Sequence, residues 1–340
     1  MSDVRAVTAA RLARLSRWRP AEIVFWIVVA AAYFVFPDRH NLLNEIAITG
    51  LFALSLDLIL GYAGILSLGH TAFFGSGAYL AGIVTKYGVT DPILGLLLAA
   101  VAAGLLGFAT SFLVLRGADL TRLMVTLGVG MVMYELANRF SGLTGGADGL
   151  QGMDVGPLLG RFDFDLGGDV AALYSLAALF LVFLPIRRMI HSPFGWSLRA
   201  VKGNALRTAA IGIPVNARLI AIYTVAAGVA GIAGALLAQT TQFVSLDVLA
   251  FHRSADILLV LVIGGTGYLY GGLIGAAVFK LMQDVLANIT PQYWEFWIGL
   301  VLVALVLVGR ERVTGFPALI ASRFRGRRSG KERLAEGAVQ

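Results

Sequence analysis

Residues 55–82, SLDLILGYAGILSLGHTAFFGSGAYLAG, set Asp57, Ser67, His70 and Thr71 among closely spaced glycines. A carboxylate, two hydroxyls and an imidazole beside flexible backbone have three chemical uses: nucleophilic catalysis, metal binding, or lining a path for a small polar solute. Catalysis needs a nucleophile, a base and an orienting group in one constellation, and none is recognisable here. A metal site needs further ligands, but His40, His191 and His252 sit at the ends of apolar segments and the chain has no cysteine. No metal and no cofactor is therefore expected, and His70 reads first as a hydrogen-bonded structural histidine. The third use fits the surroundings. Hydrophobic segments flank the stretch on both sides, and irregular backbone at membrane depth must be buried in protein or line a cavity. Asp57, Gly61, Gly64, Ser67, Gly69, His70 and Thr71 are the translocation-pathway candidates.

Other ionisable residues in or near apolar segments are Glu45, Glu135 and Asp256. Intramembrane acids mark pathways or buried pairs. Glu135 lies four residues before Arg139, a spacing that predicts an ion pair along one helix face. Asp57 lies on the helix that enters the glycine segment, with no partner legible in the sequence.

The elements that must position these groups follow from composition. Of 340 residues, 58% are apolar and 14% charged, with a mean hydropathy of +0.81; soluble domains carry about 25% charged residues. Apolar runs separated by breakers predict an all-α polytopic membrane protein with about ten transmembrane helices, near 21–36, 42–60, 70–86, 93–115, 121–140, 170–187, 216–238, 254–265, 271–287 and 294–309. A helix needs roughly 20 residues to cross the hydrocarbon. The run Gly264–Gly272, GGTGYLYGG, splits the stretch 254–287 into two. The apolar run 21–36 follows a basic stretch, but FVFP offers no small-residue cleavage site, so it reads as an uncleaved first span.

The formal net charge of +7 is unevenly placed. Five arginines fall in 1–20, six basic residues and no acid in 187–218, and eight basic residues in 310–340, whereas 140–169 holds five aspartates against Arg161. This is a positive-inside pattern and not a nucleic-acid footprint. It predicts cytoplasmic N- and C-termini, with 1–20 and 310–340 as basic cytoplasmic ends flanking a membrane domain over 21–309. The loop 140–169 is expected outside and 188–215 inside. Glycines at four-residue spacing (Gly267, Gly271, Gly275) and at three (Gly228, Gly231, Gly234) predict close helix contacts.

The segment 55–82 resembles the corresponding part of the branched-chain amino-acid ABC importer permeases, of the LivM type. Three further blocks follow in the expected order: LTGGADG at 143–149, SPFGWSLRA at 192–200 running on to Ile211–Ile213, and ILLVLVIGGTG at 257–267. The resemblance covers roughly 42–312. It implies a permease subunit of the bacterial inner membrane. Its partners would be a second, LivH-like permease, two cytoplasmic ATP-binding subunits, a periplasmic solute-binding protein and the lipid bilayer. It also implies that Thr144, Gly145, Gly146 and Gly149 belong to an external loop, and that Pro193, Phe194, Gly195, Arg199, Ala200, Ala209, Ala210 and Gly212 belong to the loop that couples to the ATPase. None of the four lysines sits in a phosphate-binding G-x-x-x-x-G-K-[ST] motif, so nucleotide hydrolysis falls to a partner. Residues Leu198–Ala210 read as one short docking helix. Unlike many importer coupling loops, 187–218 contains no acid, which leaves anionic lipid headgroups as an alternative ligand. The implied function is import of branched-chain amino acids or a related small solute such as urea, an amide or an aromatic acid. An ion-coupled secondary transporter and a channel are the readings from other classes.

Overall fold

The computed structural model describes residues 18–303 apart from 118, 159, 165–166, 294–295 and 302. The basic residues of 1–17, Asp165 and the tail 310–340 lie outside this set. The chain forms two compact units, Met1–Lys280 and Leu281–Gln340.

Nine of the ten predicted segments are helices within a few residues of their expected bounds: α1 (Pro20–Val35), α2 (His40–Asp57), α3 (Thr71–Lys86), α4 (Pro92–Val114), α5 (Asp119–Arg139), α6 (Asp169–Ile190), α9 (Val215–Thr241), α10 (Phe251–Gly264) and α11 (Gly271–Ile289). The described part of the tenth, 296–301, is also helical. Between α6 and α9 lie two short helices, α7 (Pro193–Gly203) and α8 (Ala205–Ala210). Among the described residues there is no strand, only two isolated bridges, one of them Leu150 with Val244.

Six helical stretches are long and apolar enough to cross a membrane: Pro37–Tyr62, Pro92–Val114, Leu120–Arg139, Asp169–Ile190, Val215–Thr241 and Gly271–Ile289. Length and composition therefore support six crossings among the described residues. The helices α1, α3 and α10, at 16, 16 and 14 residues, fall short of that mark.

Local chemistry sets the helix starts. Asp91 caps α4 by accepting from the amides of Ile93 (2.9 Å) and Leu94, with Pro92 in the first turn. The predicted single helix Leu198–Ala210 is instead broken at Asn204. Its backbone is extended, and its side chain accepts from Arg207 N at 2.9 Å to start α8. Asparagine competes for backbone hydrogen bonds and so favours a cap over a helix interior.

The core is built around α9. On α4, Gly95, Ala99, Ala103, Gly107 and Ser111 form a buried stripe at four-residue spacing, while Leu97, Val101 and Leu105 are exposed on the other side. That stripe admits α9 closely: a Cβ on Gly231 would overlap Ala103, and one on Gly77 of α3 would overlap the Gly231 carbonyl. Close backbone approach of this kind is how helices associate where lipid removes the hydrophobic driving force.

The helix α2 also orders the first unit. At its start His40 pairs with Asp169, and Asn41 lies against Gly168. At its far end Gly61 meets Lys202 of α7. A helix rises about 1.5 Å per residue, so these ends are about 30 Å apart. The acidic segment before α6 and the basic segment α7–α8 thus occupy opposite ends of α2.

Candidate functional site

The helix α2 does not end cleanly. Its last turn widens into a π turn over Leu58–Tyr62, and Ile65 N then bonds the Ile59 carbonyl at 2.9 Å. Residues 63–70 follow without regular structure, and Gly64 takes a left-handed φ of 75°. Most of this segment is buried, as irregular backbone in a membrane domain requires. The helix α3 then begins at Thr71, whose hydroxyl lies 3.0 Å from that of Ser254 in the first turn of α10. The two short helices start side by side within the fold and run apart. After α3 the chain meets the acidic segment, where Gly156 N bonds the Thr90 carbonyl at 3.0 Å. After α10 it reaches Gly267, beside Asp57.

The predicted pathway residues fall into two groups. His70 is fully buried; its Nε2 lies 2.9 Å from Ser55 Oγ, and its ring stacks on Phe52 with Phe73 edge-on. One ring nitrogen is therefore hydrogen-bonded, as expected, while Nδ1 is buried without a partner among the described residues. Ser67 is equally buried. A Cβ on Gly69 would overlap the Thr126 carbonyl, so this glycine lets the broken segment lie directly on the backbone of α5. Among the described residues no group of three or more His, Asp or Glu could hold a metal.

The second group forms a junction. Asp57 Oδ1 accepts from the amide of Gly267 at 2.7 Å. Gly61 packs so tightly between them that a Cβ would lie 2.8 Å from Asp57 Cγ and overlap Gly267 N. On its other side, the Gly61 carbonyl accepts from Lys202 Nζ at 2.7 Å. Gly64 leaves room for the same side chain, since a Cβ there would lie 3.1 Å from Lys202 Cγ. The Arg199 guanidinium sits 5.3 Å from the Tyr62 ring. One π turn is therefore tied both to the Gly264–Gly271 turn and to α7. Lys202 and Gly267 have no local sequence signal for these roles, because they lie 141 and 210 residues from their partners.

A cavity of about 490 Å³ opens where α3, α5 and α10 approach one another, lined by Leu68, Thr71, Leu127, Met131, Tyr134, Glu135 and Phe251 among others. Glu135 makes no ion pair with Arg139, contrary to the expectation from their spacing.

The residues expected in the external loop form a compact turn. Thr144 Oγ1 donates to the Ala137 carbonyl at 2.5 Å and accepts from Gly146 N at 3.2 Å. Gly145, Gly146 and Gly149 all have left-handed φ, at 79°, 55° and 76°, where glycine is favoured. In the basic segment, Pro193 opens α7 behind the Ser192 cap, Phe194 lies under the Arg218 guanidinium, and Gly195 packs on the Ile190 carbonyl. Ala200, Ala209, Ala210 and Gly212 are exposed, and so are Leu206 (85%) and Ile211 (74%). Near this segment, Glu22 of α1 pairs with the buried Arg187 of α6 at 2.8 Å.

Residues 39–306 match the family described as branched-chain amino acid transport system / permease component. The chain is 28% identical over 283 residues to the high-affinity branched-chain amino acid permease LivM of Escherichia coli, covering 76% of this chain and 65% of LivM, so it spans just under two thirds of that relative. It is 29% identical over 288 residues to the ribose import permease RbsC of Bacillus subtilis (80% and 84% covered). It is also 27% identical over 332 residues to the autoinducer 2 permease LsrC of an Enterobacter species (91% of each). No solved structure matches the chain.

Proposed function

Because this chain belongs to the family of branched-chain amino acid transport permease components, we propose that it is the LivM-like transmembrane subunit of an ATP-driven importer of branched-chain amino acids. The observation that carries this reading is the junction at Gly61. The exposed segment α7–α8 carries Leu206 and Ile211 in an otherwise basic surface, the kind of apolar anchor a partner protein reads. Lys202 of that segment holds the carbonyl of the broken helix. A force applied to α7–α8 reaches residues 57–71 through the Lys202–Gly61 hydrogen bond and the Arg199–Tyr62 contact, with no intervening loop.

In this reading α7–α8 faces the cytoplasm, where two ATP-binding subunits engage it through Leu206, Ala209, Ala210 and Ile211. The acidic loop 140–169, at the opposite end, meets a loaded periplasmic binding protein. A second, LivH-like permease completes the membrane unit, both termini are cytoplasmic, and the protein resides in the inner membrane. Six crossings come from the long helices. The short helices α1, α3 and α10, with the segment expected near 294–309, bring the count to ten, α3 and α10 by continuing through the irregular backbone next to them. The likeness to ribose and autoinducer permeases makes the solute the part to be tested first. Each candidate binding protein is to be titrated with leucine, ribose, urea and aromatic acids, and uptake then measured in proteoliposomes holding the assembled complex and internal ATP. Leucine uptake that requires ATP and all partners is expected. Transport by this chain alone, driven by an ion gradient, would overturn the reading in favour of a secondary transporter. A second test replaces 192–213 with an unrelated helix: membrane insertion should persist while co-purification of the ATPase is lost.

A further inference from the structure

We propose that the cavity between α3, α5 and α10 is a binding site for a primary ammonium carrying an apolar substituent, with the Glu135 carboxylate as its counter-ion. Three observations meet there. The cavity, at about 490 Å³, has the size of a small-molecule site, and its wall is mostly apolar: Leu68, Leu127, Met131, Leu249 and Phe251. Glu135 is its one carboxylate, and it forms no ion pair with Arg139, the basic residue one turn further along the same helix. The helix that carries it, α5, is apolar and long enough to cross a membrane. A carboxylate on such a helix is costly against lipid and marks a wet or ligand-bearing cavity. Phe251 begins α10, whose first turn has no side-chain cap. Its amides offer a place for an anionic group on the same ligand, while Tyr134 supplies a hydroxyl to the wall. An apolar amino acid has all of these parts. The assignment rests on the permease reading for its biological meaning, but the chemistry of the site can be tested apart from it.

The chain contains no cysteine, so Met131→Cys gives it a single thiol on the cavity wall. In membrane vesicles holding the full complex, with partner cysteines removed, that thiol is labelled with cationic aminoethyl methanethiosulfonate or anionic sulfonatoethyl methanethiosulfonate, and labelling is read by the mass of this chain. Adding Glu135→Gln should lower the ratio of cationic to anionic rates by roughly tenfold, the effect of one unit charge at short range in a partly wet site. Glu135→Asp should restore most of the ratio. A ratio that changes by less than about twofold, or a thiol that neither reagent reaches, overturns the proposal. Turnover with leucine-loaded binding protein and ATP should slow labelling. If the charge ratio behaves as expected and isoamylamine slows labelling while leucine does not, the ammonium site stands and the amino-acid importer reading fails; if neither slows labelling, the proposal is overturned.

Discussion

Lys202→Met tests the mechanical link most directly. The substitution keeps the aliphatic stem that packs beside Gly64 and removes the ammonium that donates to the Gly61 carbonyl at 2.7 Å. A hydrogen bond from a charged donor contributes about 1.5–3 kcal/mol. Lys202 is largely exposed, and solvent screening brings the expected loss down to about 1 kcal/mol. If that bond transmits the movement of α7 to the broken helix, the coupling equilibrium shifts by about fivefold. The assay is solute taken up per ATP hydrolysed by the reconstituted complex. We expect a fall of about fivefold with Lys202→Met and a smaller one with Lys202→Arg. The amount of complex recovered should be unchanged, because α7 is held by the Ser192 cap and by buried Leu198 and Val201. Uptake per ATP within about twofold of the parent protein, or a fall that merely tracks lost complex, would refute the reasoning.

Other outcomes follow from the same geometry. Gly61→Ala forces a Cβ into Asp57 and the Gly267 amide, and overpacking with loss of their hydrogen bond should destabilise the chain by about 3–5 kcal/mol, read as a fall in thermal midpoint in detergent. His70→Ala empties a fully buried space between Phe52 and Phe73 and leaves Ser55 short of a partner; about 3 kcal/mol of stability should be lost, with a smaller loss for His70→Asn. Gly231→Val drives a side chain into Ala103 and the Ala99 carbonyl, so it should abolish the folded monomer peak on size exclusion, whereas Gly203→Ala, with open space around it, should leave that peak intact.

Much of the architecture was legible because its signals are local. Pro92, Pro193 and Pro214 stand where helices begin, and the Gly264–Gly272 cluster stands where two apolar runs divide. The left-handed turn at Gly145, Gly146 and Gly149 is likewise a property of adjacent residues. The site was legible only in part. That residues 61–70 interrupt a helix follows from their glycines, but what holds the interruption does not. Lys202 reads as one more cytoplasmic cation, and Gly267 as one more small packing residue, until the fold brings each to the π turn. Two local inferences failed for physical reasons. The Asn204 side chain offered the backbone a cap that ended the expected docking helix, and Glu135 lines the cavity between α3, α5 and α10 instead of pairing with Arg139.

The wide turn at Leu58–Tyr62 has a further consequence. Successive residues of an α-helix are set about 100° apart around the axis, and a π turn is one surplus residue held in that winding. Were the surplus to move one residue back along α2, the side chain it passed would swing through about that angle while the helix kept nearly all of its internal bonds. Because the Gly61 carbonyl is held from the side by Lys202, the pull arrives at the spot where the surplus is stored. A short tug at one end of α2 could then be converted into rotation, with little need for the helix to slide.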